Sequence, residues 1–341
     1  MSDSVQLLNY CTHALDDMRK FSQQISSSMP VAAKRIRILA GMLDKATKFL
    51  LPNCAELVDS SSLNDAHLEL LRLPYPVTVF EASWIKDDHQ PFVLNGEVES
   101  LSSRRIALCW ELTDDFAPFE GLNDTVRRAF PDGGVFVYPI SYGDEAKVWS
   151  PGLGGQFIPC DYKVSKDFRN LPASELVQGA LRDAGRLHKS GFRFRAEPFV
   201  LLDEPFDQLV AHKGSDIPTG LAHVIHDSND EVVMAVQACA VLNCANVSTV
   251  DASPSKAMNA KRAATNRPPF FTYKVLQLAA DKRHEAEANG SHAGPRTHLR
   301  RGHIRRLESR VTWVRATLVN PGSERGQVTK DYRLDRSTQS D

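Results

Sequence analysis

The sequence predicts an α+β protein: a helical and sheet-containing acidic body followed by a basic C-terminal antiparallel β-sheet. Three observations lead there. Apolar residues recur at three- and four-residue steps through residues 3–72, and the period drops to two near Val77. Charge also divides unevenly: from Lys256 to Asp341 there are 18 Lys and Arg against 8 Asp and Glu, a formal +10, which leaves −11 for residues 1–255 of a chain whose total is −1. A basic end beside an acidic body points to an anionic partner for the first, or to a contact between the two.

The elements follow in order. Leu7, Leu8, Cys11, Leu15, Met18, Phe21 and Ile25 make one helical face over residues 3–25, with Ser2 or Asp3 as its cap. A second helix should start at Pro30, carry Ile36, Leu39, Leu43 and Ala46 through Leu50 on its buried side, and stop at Pro52. Residues 62–72 read as a short third helix. Val77–Ser83 and Arg104–Leu112 alternate as strands, Val135–Ser141 follows the PDGG turn as another, and a short strand surrounds Val148 and Trp149. Ser174 caps a helix ending near Gly191, and Phe192–Leu202 returns to strand alternation. Between 204 and 226, Pro205, Gly214, Pro218 and Gly220 limit the chain to helical turns. Glu231–Asn243 then forms a helix that is apolar nearly all round and belongs in a core.

Asp251–Pro269 is polar and basic and reads as a linker or surface excursion, and it marks the boundary between an acidic body, 1–255, and a basic β region, 256–341. Within that region Phe270–Leu278 is a strand, 279–296 is a polar loop expected to be mobile, and 300–307, 311–319 and 327–334 complete a small sheet. This sheet is expected to meet the body through Phe270, Tyr273, Val275 and Trp313.

A chain of 341 residues with 42% apolar and 24% charged residues is ordinary for globular proteins, which excludes fibrous and wholly disordered classes. Six cysteines without a CxxC argue against a zinc ribbon or a disulfide framework. The longest apolar run, Val232–Leu242, is interrupted by Gln237 and is shorter than the roughly 20 residues a membrane span needs. The start of the chain is acidic where a signal peptide is basic, so the expected setting is the cytoplasm, with no membrane partner.

The strongest functional candidate is THLRRGHIRRLESRVTWVR, residues 297–315. Seven arginines fall between Arg296 and Arg315 against one acid, Glu308. Alternation along the first strand distributes Arg301 and Arg305 to one side and Arg300 and Arg306 to the other, and Trp313 and Arg315 share a side on the next strand. Guanidinium forks hold phosphates and an aromatic ring stacks on a base, so Arg296, Arg300, Arg301, Arg305, Arg306, Trp313 and Arg315 form a candidate nucleic-acid-binding set. For a metal-independent ribonuclease, His298 and His303 offer a base and an acid, Arg300 or Arg301 a charge clamp, and Tyr332 or Lys330 help to the leaving group. The plain alternative is an edge strand whose arginines pair with the acidic body.

Other candidates are weaker. His223 and His226 in HVIHD stand three apart but lack a third ligand, so no metal is assigned. PGLGG, residues 151–155, lacks the lysine and strand–helix context of a phosphate loop and reads as a turn. Glu81 and Glu111 on neighbouring strands are either paired carboxylates or exposed strand positions. No serine elbow, zinc-protease, dinucleotide, Walker or kinase motif occurs, and no cofactor is assigned.

The series RPPFFTYKVLQL, PRTHLRRGHIRRL, TWVRATLVN and RGQVTKDYRL resembles the tail of a family of proteins encoded by bacteriophages, prophages and related mobile elements of proteobacteria. VLNCANV and HLELLRLPYPVTVFE are similar to it as well. The resemblance implies a bacterial or phage-infected cytoplasm and an accessory role, and it carries no catalytic assignment onto His298, His303 or Tyr332. Three readings stand: nucleic-acid binding by the arginine strands, a ribonuclease or toxin-like enzyme using the same stripe, and an effector that captures a host protein.

Overall fold

In the computed structural model, residues 6–58, 63, 65–85, 93–94, 97–98, 102–160, 175–185, 187–188, 191–192, 195–212, 216–278, 297–300, 303–306, 311–314, 317–319 and 327–328 are described. The predicted α+β class is what they form. Two helices, α1 (Tyr10–Gln24) and α2 (Pro30–Lys45), precede strand β1 (Thr47–Leu50). A short helix α3 (Asp65–Leu68) leads to β2 (Val77–Ser83), the small hairpin β3 (Val93–Leu94) and β4 (Glu97–Val98), and β5 (Arg104–Glu111). Helix α4 (Glu120–Ala129), strands β6 (Gly134–Gly143), β7 (Val148–Pro151) and β8 (Gly154–Pro159), and helix α5 (Glu175–Asp183) come next. The pair β9 (Leu187–His188) and β10 (Gly191–Phe192) precedes β11 (Glu197–Val200), α6 (Asp203–His212), α7 (Ile217–Asp227) and α8 (Asn229–Leu242). Then follow β12 (Val247–Ala252), α9 (Lys256–Ala264), β13 (Tyr273–Leu278), β14 (Thr297–Arg300), β15 (His303–Arg306), β16 (Val311–Val314), β17 (Thr317–Val319) and β18 (Gln327–Val328).

Nine strands make one mixed sheet in the order β11-β8-β6-β5-β2-β1-β13-β12, with β7 pairing β6. β1 runs parallel to both of its neighbours, β2 and β13, and the remaining pairs are antiparallel. Alternation along the strands gives each face its own core. Leu50, Val79, Ile106, Leu108, Trp110, Phe136 and Tyr138 face α1 and α2, which contribute Cys11, Leu15, Met18, Ile36, Leu39 and Leu43. Phe49, Phe80, Ala82, Ala107, Cys109, Val135 and Val137 face α8. Beyond α8, Leu57, Val58, Leu63, Leu68 and Leu71 close a further layer, which is why α8 is apolar nearly all round. The polar break in that helix, Gln237, is buried, and its side-chain oxygen accepts from the amides of Leu57 and Val58 at 3.1 and 2.8 Å. It satisfies loop amides that would otherwise be stranded.

Several expectations change. The first helix begins at Tyr10, after Asn9 in the left-handed region at φ 57°, so Leu7 and Leu8 precede it; Ser2 and Asp3 lie outside the described residues. The second helix ends at Lys45, because the chain enters the sheet as β1: Ala46 and Leu50 keep the helical spacing, and the four residues TKFL are too few to show a strand period. Of the two readings of Asp251–Pro269, the structure has the surface excursion, between two paired strands. β12 and β13 are antiparallel partners, with α9 between them, and β13 pairs with β1. Tyr273 and Val275 therefore pack within the α1/α2 core as part of the large sheet, and the sequence boundary at 255/256 does not coincide with the edge of that sheet. The loop 279–296 lies outside the described residues.

Candidate functional site

The arginine-bearing strands form a hairpin. β15 pairs antiparallel with β16, placing His303 opposite Val314, Ile304 opposite Trp313, Arg305 opposite Thr312 and Arg306 opposite Val311. β14 pairs antiparallel with β17, Arg300 opposite Thr317 and His298 opposite Val319. Stepping from Arg300 to His303 on one strand matches the step from Thr317 to Val314 on the other, so both ladders keep a single register. β18 adds to β14 in parallel, with Thr297 opposite Gln327, so the terminal sheet is mixed rather than antiparallel throughout. The hairpin meets the body where α8 ends: the Ala245 amide donates to the Val311 carbonyl at 2.9 Å, and Val311 packs against the α8 core.

The predicted residues divide accordingly. The structure gives the backbone pairing of His298, Arg300, His303, Arg305, Arg306 and Trp313. Arg296, Arg301, Arg315, Lys330 and Tyr332 lie outside the described residues. His223 and His226 both fall on α7, and among the described residues no group of three His, Cys, Asp or Glu side chains is arranged to hold a metal. In the PGLGG segment the last two glycines belong to β8 rather than to a turn. A Cβ on Gly154 would overlap the Phe199 carbonyl oxygen, and one on Gly155 that of Val137, so the strand needs glycine for close approach.

Glu81 and Glu111 are not a pair. In the β2–β5 register Glu81 lies opposite Ile106, and Glu111 lies at the far end of β5, opposite Val135 of β6. Glu111 accepts from the Leu73 amide at 3.1 Å. Nor is Glu81 an exposed strand position: it is fully buried beneath α1. Its Oε2 accepts from the Cys11 amide at 2.9 Å and the Tyr273 hydroxyl at 2.7 Å, and Oε1 has no partner. Burial raises its pKa, against the lowering effect of the Tyr273 and Cys11 hydrogen bonds. Nearby, buried Lys48 donates to the carbonyls of Asp44 and Ala46 at 3.0 and 2.8 Å and sits 3.8 Å from the centre of the Phe271 ring.

A second polar cluster lies on the opposite face of the sheet. Arg105, on β5, pairs with Glu231 and Asp230 of α8 at 3.3 Å each and donates to the Asp227 carbonyl at 3.3 Å. Burial pushes the Glu231 carboxyl up to about 8, and Asp230 and Asp227 push the same way against Arg105. Burial opposes the charge on Arg105 too, but the three carboxylates outweigh it and its pKa is raised. Beside this cluster Gln156 donates to the Ser228 hydroxyl at 2.7 Å and the Ile225 carbonyl at 3.2 Å. Both clusters escape a sequence reading because the partners are 70 to 192 residues apart. The one local hint is Asp230 and Glu231 in the first turn of α8, where acids suit the helix dipole.

Among the described residues no helix is long and apolar enough to cross a membrane. Comparison with protein-family models found no match. Comparisons with curated proteins and with solved structures found none either.

Proposed function

We propose that the chain is an accessory protein of phage or prophage type, acting in a bacterial or phage-infected cytoplasm, whose C-terminal arginine strands bind nucleic acid. RNA and single strands fit better than duplex grooves, because an aromatic beside guanidinium groups suits unstacked bases. What supports the reading is the concentration of positive charge on one paired element. Arg300, Arg305 and Arg306 fall on one arm of a hairpin with Trp313 on the other, and that hairpin meets the body through Val311, an apolar residue.

The test replaces Arg300, Arg301, Arg305 and Arg306 together by alanine and measures binding to a pool of single-stranded RNA. Loss of binding with unchanged secondary structure is the expected result; unchanged binding removes the proposal. RNA cleavage by the wild type and not by His303→Ala would move the reading to a ribonuclease. A host protein captured equally before and after nuclease digestion would move it to a protein-binding effector.

A further inference from the structure

Helix α1 has no cap of its own. Asn9 precedes it in the left-handed region and makes no side-chain bond to the first turn. The amide of Cys11 is served instead by Glu81, which reaches up from β2. The same carboxyl oxygen that takes the Cys11 amide takes the Tyr273 hydroxyl, so one group ties α1, β2 and β13 together. The arrangement is fully buried and leaves Oε1 and the Thr12 hydroxyl without partners. In such surroundings full burial with Oε1 unpartnered costs a carboxylate more than a neutral carboxyl, which carries no charge to desolvate.

We infer that Glu81 is a proton-operated latch: held neutral it fastens the first turn of α1 to the central sheet, and loss of its proton to solvent accompanies opening of that turn. The groups around it are those that set its behaviour. α1 contributes the Cys11 thiol, itself raised by burial and by Glu81; β13 contributes the Tyr273 hydroxyl, raised by burial; β1 contributes Lys48, lowered by burial and attracted by Cys11, Asp44 and Glu81. Tyr10, beside it, shares a 3.2 Å hydrogen bond with Ser83 and lies against Trp149 at 5.3 Å. Glu81 binds its proton more tightly when buried than when α1 opens. The opening equilibrium therefore grows with pH between the ordinary glutamate value and the raised folded one, and levels above it. The Tyr273 hydroxyl ties β13 to the same carboxyl, and β13 is the strand from which the chain continues toward the arginine hairpin.

The experiment is hydrogen exchange of the full chain at the α1 first-turn amides, corrected for the intrinsic dependence of exchange on pH, from pH 5 to 9. Wild type should lose protection as pH rises, approaching about tenfold per pH unit within the window of one linked proton. Glu81→Gln keeps an oxygen acceptor and cannot ionise, so it should lose the Glu81-linked slope. His13, on the same helix, also titrates, its pKa lowered by burial and by Arg262; that response survives in Glu81→Gln and is subtracted by it. Tyr273→Phe gives a second arm that leaves the carboxyl in place. Removing a donor that lowers the Glu81 pKa should carry the levelling-off to higher pH. A flat wild-type profile, or equal slopes in wild type and Glu81→Gln, overturns the latch, and so does a Tyr273→Phe profile that does not move.

Discussion

Two buried or half-buried glutamates do at long range what capping residues usually do within four positions. Glu81 serves α1, and Glu204 of α6 serves α2: its carboxyl accepts from the amides of Val31 and Ala32 at 3.4 and 2.8 Å, where Met29 and Pro30 supply no cap. Arg35 fastens the same junction by donating to the Leu201 carbonyl at 2.6 Å and pairing with Asp203 at 2.5 Å. Loss of a helix cap costs about 0.5–2 kcal/mol, so Glu204→Ala should lower the urea stability by that order with no change of fold. Across the sheet, Arg105 is the cation shared by Asp230 and Glu231. Arg105→Met leaves those carboxyls uncompensated and should cost roughly 3–5 kcal/mol in the same measurement. Glu231 ionises near its ordinary value in the unfolded chain and at about 8 in the fold. Its contribution is thus complete below the unfolded value and is lost as pH rises through the folded one. Urea midpoints at pH 5 and 8 should therefore show Glu231→Gln gaining on the wild type as pH increases.

At the scale of elements, the sequence was readable where a segment carries enough residues of one type to mark it. The strands Val77–Ser83 and Arg104–Glu111 and the helix Asn229–Leu242 fall close to where the sequence puts them although all three are buried on both sides, because β-branched and aromatic content marks the strands and the length of its apolar run marks the helix. It was unreadable where a short buried strand follows a helix directly. Thr47–Leu50 carries no alternation to separate it from the helix before it, and only its place between β2 and β13 makes it a strand. The excursion around α9 misled for a different reason: polar, basic composition marks exposure, and exposure is equally met by a helix over the end of a sheet. Arg262 of α9 is in fact buried, with its guanidinium 4.3 Å from the Phe270 ring centre and 3.7 Å from Asp16. In β8 the glycines are structural. Gly154→Ala forces apart β8 and β11, and an overpacking cost of about 1–3 kcal/mol should appear as a lower melting temperature.

Over the whole molecule, a single mixed sheet with α1 and α2 on one face and α8 on the other accounts for most of the apolar pattern, which is why the α+β class is legible in the amino-acid order alone. Among the described residues each face also holds a buried ionisable cluster, Glu81 on one and Arg105 with Glu231 on the other, and neither was legible, since charge in a sequence reads as surface until its partners are known. The terminal stripe was legible as paired strands, and its register brings Trp313 opposite Ile304, between positions held by His303 and Arg305. The role proposed for this hairpin is to bind a nucleic acid. The most direct measurement is the affinity for single-stranded RNA as a function of salt. If the hairpin neutralises about five phosphates, affinity should fall roughly 100-fold between about 50 and 200 mM salt, and the quadruple arginine-to-alanine variant should lose most of that dependence. An affinity indifferent to salt, or the same slope in the variant, would contradict the account.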